Sequence, residues 1–184
     1  MEKRTATYLF TSERLGFRAW KPDDLSGLSA LCADEAVMRY FPAVLDAEES
    51  KSLFDRLIDH HRKHGFTYFA VDRLDSHEFI GFIGLARQDY ESYFTPCVDI
   101  GWRLKRAAWG KGFATEGAKA CLQHAFGALE LNEIYAVTTH NNTASERVMQ
   151  KIGMQPLPDF IHPKLPANHA LQPMVVYRTQ RVQK

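Results

Sequence analysis

The segment GWRLKRAAWGKGFATEG, residues 101–117, decides how this chain is read. Its first residues complete a strand pattern, CVDIGWRL, that begins at Cys97 and ends near Leu104. A short basic turn follows, and Gly110-Lys111-Gly112 opens a helix with Ala114, Ala118, Cys121, Leu122, Ala125 and Phe126 at helical spacing. Glycines at that junction let the backbone approach a ligand closely, and the first N–H groups of the helix have no partner within it. An anion placed there gains those hydrogen bonds and the helix dipole, the dipole alone worth roughly 0.3–1 kcal/mol. Arg103, Lys105, Arg106 and Lys111 strengthen the positive field, so a pyrophosphate is the natural guest.

Upstream, FTYFAVDR (residues 66–73) and EFIGFIGLARQ (residues 78–88) read as strands joined by a turn at Asp75-Ser76. The second is apolar on both faces, which predicts a central place in a sheet. Residues 13–20, ERLGFRAW, alternate as a strand with Leu15, Phe17 and Ala19 on one face. Pro22, Asp23 and Asp24 suit the first turn of a helix through Leu25, Leu28 and Leu31, with more helix or turn up to Phe41-Pro42. Asp46 and Glu49 form a capping box before a helix whose apolar face is Leu53, Phe54, Leu57 and Ile58, with Gly65 as its C-cap. Downstream, EIYAVTT (residues 133–139) is a strand, and residues 143–151 form a short helix capped by Thr143 and ending at Gly153. Residues 156–173 read as a proline-rich loop before a last strand at residues 174–179. The pattern predicts one α/β domain over residues 1–184.

The chain has 184 residues, 45% of them hydrophobic, and a formal net charge of +1. That balance argues against disorder and against bulk attraction to nucleic acid or an anionic membrane. No apolar run approaches the ~20 residues of a membrane span, and the opening residues lack a signal-peptide pattern. Cys32, Cys97 and Cys121 are odd in number and far apart, neither a disulfide framework nor a CxxC pair. A cytoplasmic protein is expected. His60 and His64 have helical spacing that could hold a metal, but no acidic or Cys ligand accompanies them, and a solvated helix face is the simpler reading.

Other phosphate loops fit poorly. A Walker A loop requires GxxxxGK[ST], and here Gly112 follows Lys111. A dinucleotide fingerprint requires GxGxxG, with Thr115 standing where the third glycine belongs and Glu133 beginning its strand rather than ending it. A second stretch, TTHNNTASERVMQKIGM (residues 138–154), sets Asn141 and Ser145 four residues apart at a strand–helix junction. Both residues could face a cleft between the strand ending near 104 and the strand ending near 139.

Together, ERLGFRAW, VDIGWRL, AAWGKGFATEGAKA, NNTASERVMQKIGM and PMVVYR resemble, in order and over almost the whole chain, the GNAT acetyltransferase superfamily. Within it they look most like the RimJ/RimL branch, whose enzymes acetylate ribosomal-protein N-termini. The resemblance implies an α/β fold with a mixed, mostly antiparallel sheet, helices on both faces and splayed central strands. It implies acetyl-CoA as cosubstrate, with no metal. The pyrophosphate would lie on the backbone of Trp109, Gly110, Lys111, Gly112, Phe113, Ala114 and Thr115, and the pantetheine arm along Trp102, Arg103 and Leu104. Asn141 would contact the cofactor, and Ser145 would protonate the departing thiolate. The superfamily's usual [QR]xxGxG loop is altered here, with Ala107 at its first position, Arg106 one residue earlier and Trp109 before the first glycine. Phosphate binding rests mainly on backbone N–H groups, which this change leaves in place.

Transfer to an amine needs a neutral nitrogen, a stabilised oxyanion and a protonated leaving thiolate. A backbone N–H of residues 100–104 could serve the oxyanion. Asp99 is the first candidate for general base, with His140 the second. Glu116 suits a dipole or structural role, Arg147 and Lys151 either cofactor phosphate or solvent, and Cys97 and Cys121 the core. Residues 38–44, 90–94 and 160–171 would wall a partly apolar cleft for an amine, either a peptide N-terminus or a small molecule. A monomer or homodimer is expected, without nucleic-acid or membrane partners. The rival is a non-catalytic acyl-CoA-binding regulatory module on the same fold.

Overall fold

The computed structural model describes residues 8–166 and 169–181. Eight strands form one sheet: β1 (Phe10–Thr11), β2 (Leu15–Arg18), β3 (Tyr68–Arg73), β4 (Phe79–Gln88), β5 (Cys97–Leu104), β6 (Glu133–Thr139), β7 (Gln155–Ile161) and β8 (Pro173–Gln180). Their spatial order is β1-β2-β3-β4-β5-β6-β8-β7, so β4 lies centrally, as its two-sided apolar sequence requires. Every pair is antiparallel except β5–β6, which is parallel and joined at one register position, Asp99 opposite Tyr135. Beyond that point the two strands part.

Five helices cover the sheet: α1 (Leu25–Ala33), α2 (Glu35–Met38), α3 (Ala47–His64), α4 (Phe113–Gly127) and α5 (Thr143–Lys151). On one face α4 and α5 enclose the main core, where Phe113, Ala118, Cys121, Ala125 and Met149 meet Leu15, Phe69, Ile83, Ile100 and Ile134. On the other face α1, α2 and α3 pack on Trp20, Ala70 and Phe82. A separate cluster of Phe94, Tyr135, Phe160 and Val176 covers the β6–β8–β7 end of that face. The seam between these two clusters falls over β5.

Local signals work as the sequence predicts around α3. Asp46 accepts from Glu49 N at 2.8 Å, the Glu49 carboxylate accepts from Asp46 N at 2.9 Å, and Gly65 closes the helix at φ 77°. Four expectations are corrected. The proline-rich stretch contains β7, which as an edge strand tolerates Pro156 and Pro158 because one side has no ladder to satisfy. A short β1 precedes β2. The cap of α5 is Asn142, whose Oδ1 accepts from Ser145 N at 3.2 Å, rather than Thr143. His60 does not face solvent: its Nδ1 meets Phe66 O at 2.7 Å and its Nε2 accepts from Arg87 N at 3.0 Å, linking α3 to β4. Residues 167 and 168 of the expected wall at 160–171 lie outside the described residues. No helix among the described residues is long and apolar enough to cross a membrane.

Candidate active site

The parting of β5 from β6 leaves backbone groups without a ladder. Lys105 N donates to Ile80 O on β4, and the β4–β5 register runs without a shift. In an antiparallel pair the amides alternate in direction, so those of Ile100, Trp102 and Leu104 point away from β4, toward the opening. Leu104 O accepts from Trp109 Nε1 at 2.8 Å, which folds the following loop back against the strand. The Trp102 and Leu104 amides are the donors this leaves facing the split.

That loop leads into α4 through Gly110 at φ 72° and Gly112 at φ 80°, both in the left-handed region that side-chain-bearing residues avoid. Gly112 is the N-cap and supplies no side-chain acceptor, and the first intrahelical bond runs from Glu116 N to Gly112 O. The N–H groups ahead of it, through Thr115, have no intrahelical acceptor. A Cβ at Gly110 would meet nothing within 4 Å, so its backbone is open to a guest. This cradle, continuous with the split, fits a pyrophosphate on a long extended arm. Glu116 is structural: it accepts from Ser12 Oγ at 2.6 Å and Arg14 N at 2.8 Å and pairs with the Arg14 guanidinium. A shallow depression of about 700 Å³ beside this loop includes Lys111 and Phe113 but none of the residues around Asp99.

Asp99 lies at the closed end of the split, on the face opposite α4. Tyr68 OH donates to its Oδ1 at 2.7 Å and Gln88 Nε2 to its Oδ2 at 3.1 Å. Sheet register explains this meeting: Tyr68, Gly84 and Gly101 lie side by side across β3, β4 and β5. A Cβ at Gly101 would come within 3.1 Å of the Tyr68 ring, so glycine lets that ring lie across the sheet toward Asp99. Burial pushes the Asp99 carboxyl up to about 6, against the opposing effect of its hydrogen bonds from Tyr68 and Gln88. Burial likewise raises the Tyr68 and Tyr90 phenols, with Asp99 adding to both, so Tyr68 stays a neutral donor. The Cys97 thiol is pushed up to about 12 by burial and by Asp99, which leaves it protonated and inert.

Ser145 begins α5 across the opening. Trp102 Nε1 donates to its Oγ at 3.3 Å, bridging β5 to α5 and leaving the Ser145 proton free to donate elsewhere. His140 is remote from Asp99. It stands five residues beyond Tyr135, roughly 16 Å along the strand, and its Nε2 pairs with Asp159 at 2.8 Å. Asn141 is exposed, while Asn142 makes the cap and donates to Thr138 Oγ1 at 3.0 Å. The structure therefore gathers Asp99, Trp102 and Ser145 about the split and sets His140 at its wide end. Tyr68 and Gln88 escaped the sequence reading; the paired small residues Gly84 and Gly101 were their only trace.

Residues 14–155 match the family described as the acetyltransferase (GNAT) domain. The chain is 30% identical over 145 residues to the uncharacterized N-acetyltransferase YnaD of Bacillus subtilis, covering 79% of this chain and 81% of that one. A solved GNAT-family acetyltransferase from Bacillus anthracis superposes with a TM-score of 0.74 at 25% identity, over 93% of this chain and 97% of that one. RimL, a ribosomal L7/L12 alpha-N-protein acetyltransferase solved with coenzyme A, shares the fold with a TM-score of 0.76 at 17% identity, over 95% of this chain and 98% of that one.

Proposed function

The chain belongs to the GNAT acetyltransferase domain family and is an acetyl-CoA-dependent acetyltransferase, and from that premise we propose that it acetylates an amine held over Asp99 by direct transfer. When bound, acetyl-CoA supplies an activated thioester and leaves as a thiol. The backbone N–H groups from Trp109 to Thr115 hold the pyrophosphate, and the free edge of β5 at Trp102 to Leu104 pairs with the arm. Asp99 takes the proton of the acceptor ammonium, which its raised pKa of about 6 suits near neutral pH. The Trp102 amide donates to the developing oxyanion, a contribution of roughly 3–4 kcal/mol in comparable sites. Ser145 relays a proton: its hydroxyl protonates the departing sulfur and takes back the second proton that the acceptor nitrogen sheds as the amide forms, with Trp102 Nε1 fixing the orientation of Oγ.

One observation carries this reading. A half-buried carboxylate with its pKa raised to about 6 sits where a backbone cleft closes, in the seam between two apolar clusters that can exclude water. A peptide N-terminus of the RimL kind and a small amine both satisfy it. The test is a calorimetric titration with acetyl-CoA, with ATP and NAD as controls, followed by thiol release in the presence of amines. Selective acetyl-CoA binding with amine-dependent release is expected. Binding without release from any amine would instead favour the regulatory module, and no acetyl-CoA binding by folded protein would overturn the reading.

A further inference from the structure

Four residues beyond Asp99, on the same face of β5, the site holds a charge that acetyl transfer does not require. The Arg103 guanidinium lies between the rings of Phe41 at 3.9 Å and Phe82 at 5.2 Å. Nη1 donates to the Cys32 thiol at 3.2 Å, and Nε is sealed from solvent with no hydrogen-bond partner. Nη2 keeps access to solvent. Among the described residues no carboxylate pairs with this group, and burial holds its pKa below the usual guanidinium value. A buried arginine elsewhere in the fold shows what a satisfied one looks like: Arg18 makes paired hydrogen bonds to both Asp24 and Asp72. Aromatic faces offset only part of the cost of taking a cation out of water, so Arg103 lacks the anion that its surroundings demand.

Its position says where that anion comes from. Phe41 belongs to the segment after α2, the expected wall at residues 38–44, and the Tyr68 ring stacks on Phe82 at 5.6 Å while its hydroxyl reaches Asp99. Tyr68 and Phe82 therefore form a chain of contacts from the base at Asp99 to Arg103, with about 13 Å between the end Cα atoms. We propose that Arg103 is an anion subsite for the acceptor: the amine acetylated over Asp99 also carries a carboxylate, which docks on the Arg103 guanidinium. This rests on the acetyl-transfer reading above and narrows its acceptor from amines in general to amino acids and other carboxylated amines.

The experiment measures acetylation of matched pairs, namely glycine, γ-aminobutyrate and ε-aminocaproate, each against its primary carboxamide. Wild type is expected to favour the carboxylate member of at least one pair by about 10- to 100-fold in kcat/KM, the range of a hydrogen-bonded charge pair. In Arg103→Met that ratio falls to near one through a rise in KM for the carboxylate, and Arg103→Lys holds an intermediate ratio. Taking a ratio within each pair cancels any effect on acetyl-CoA. Arg103→Met also removes a half-buried charge with no carboxylate partner among the described residues, so its Tm is expected at or above that of wild type. A ratio unchanged in Arg103→Met, or a wild-type preference for the carboxamides, overturns the proposal. So does a wild type that neither acetylates nor binds, by calorimetry with CoA present, any carboxylate of the series. Acetyl-CoA titration of the same samples separates the two failures: loss of acetyl-CoA binding removes the transfer reading, whereas binding without carboxylate preference removes the anion subsite alone.

Discussion

Asp99 shows how one residue's chemistry is made by its neighbours. A carboxyl alone on a strand ionises near pH ~4; here burial holds it up to about 6 while Tyr68 and Gln88 keep it oriented. Its folded pKa lies above the unfolded value, so the native state binds more protons between the two and stability falls as pH rises through that window. Asp99→Asn is therefore expected to stabilise the protein at pH 7, by about 1–3 kcal/mol, with the gain vanishing below pH ~4. Urea denaturation across pH checks this. The same variant should lose the acid limb of the pH–rate profile near pH 6, and an unaltered profile after the substitution would move the base elsewhere. Ser145→Ala keeps the Asn142 cap, which uses the Ser145 backbone N–H. Turnover is expected to drop about 10- to 100-fold with little change in acetyl-CoA affinity, as read by steady-state kinetics beside calorimetry.

At the scale of elements, the site is a strand end, a glycine turn and a helix start in sequence. The turn needs Gly110 and Gly112 for their positive φ, since neither position is crowded enough to demand glycine for space. Gly112→Val puts a β-branched residue where L side chains are strained by roughly 1–2 kcal/mol, tilting the N–H groups that open α4. Acetyl-CoA affinity is expected to weaken about tenfold or more while circular dichroism stays native, and unchanged affinity would remove the loop from phosphate binding. These elements were legible because their signals are local: Asp46 and Glu49 announced α3, Gly65 ended it, and CVDIGWRL delimited β5. β7 was hidden because Pro156 and Pro158 mimic a loop, and only its place at the sheet edge makes a strand of them.

Over the whole molecule, the buried Arg18 and the half-buried Arg103 carry opposite expectations. Arg18 joins β2, the turn before α1 and β3 through Asp24 and Asp72, and its pKa is raised by those two carboxylates against the pull of burial. Arg18→Met would strand both carboxylates in the interior and is expected to cost about 3–5 kcal/mol at neutral pH, with part of the loss recovered on acidification. Arg103→Met, in contrast, should leave stability equal or higher. Equal losses in the two variants, measured by chemical denaturation, would mean that Arg103 has a counterion in the native state.

The sequence by itself determined the elements from β2 to α5, the glycine turn that opens α4 and the family, because periodicity, capping and motif spacing all act within a few residues. It also singled out Asp99 and Ser145 as candidates for the reacting groups. Only the tertiary structure decided that Tyr68 and Gln88 hold Asp99, that Asp159 engages His140 at a distance, and that Arg18 is satisfied while Arg103 is not. Those facts depend on strand register and on burial between segments far apart in the chain, and a charge's worth in a protein is set by what surrounds it.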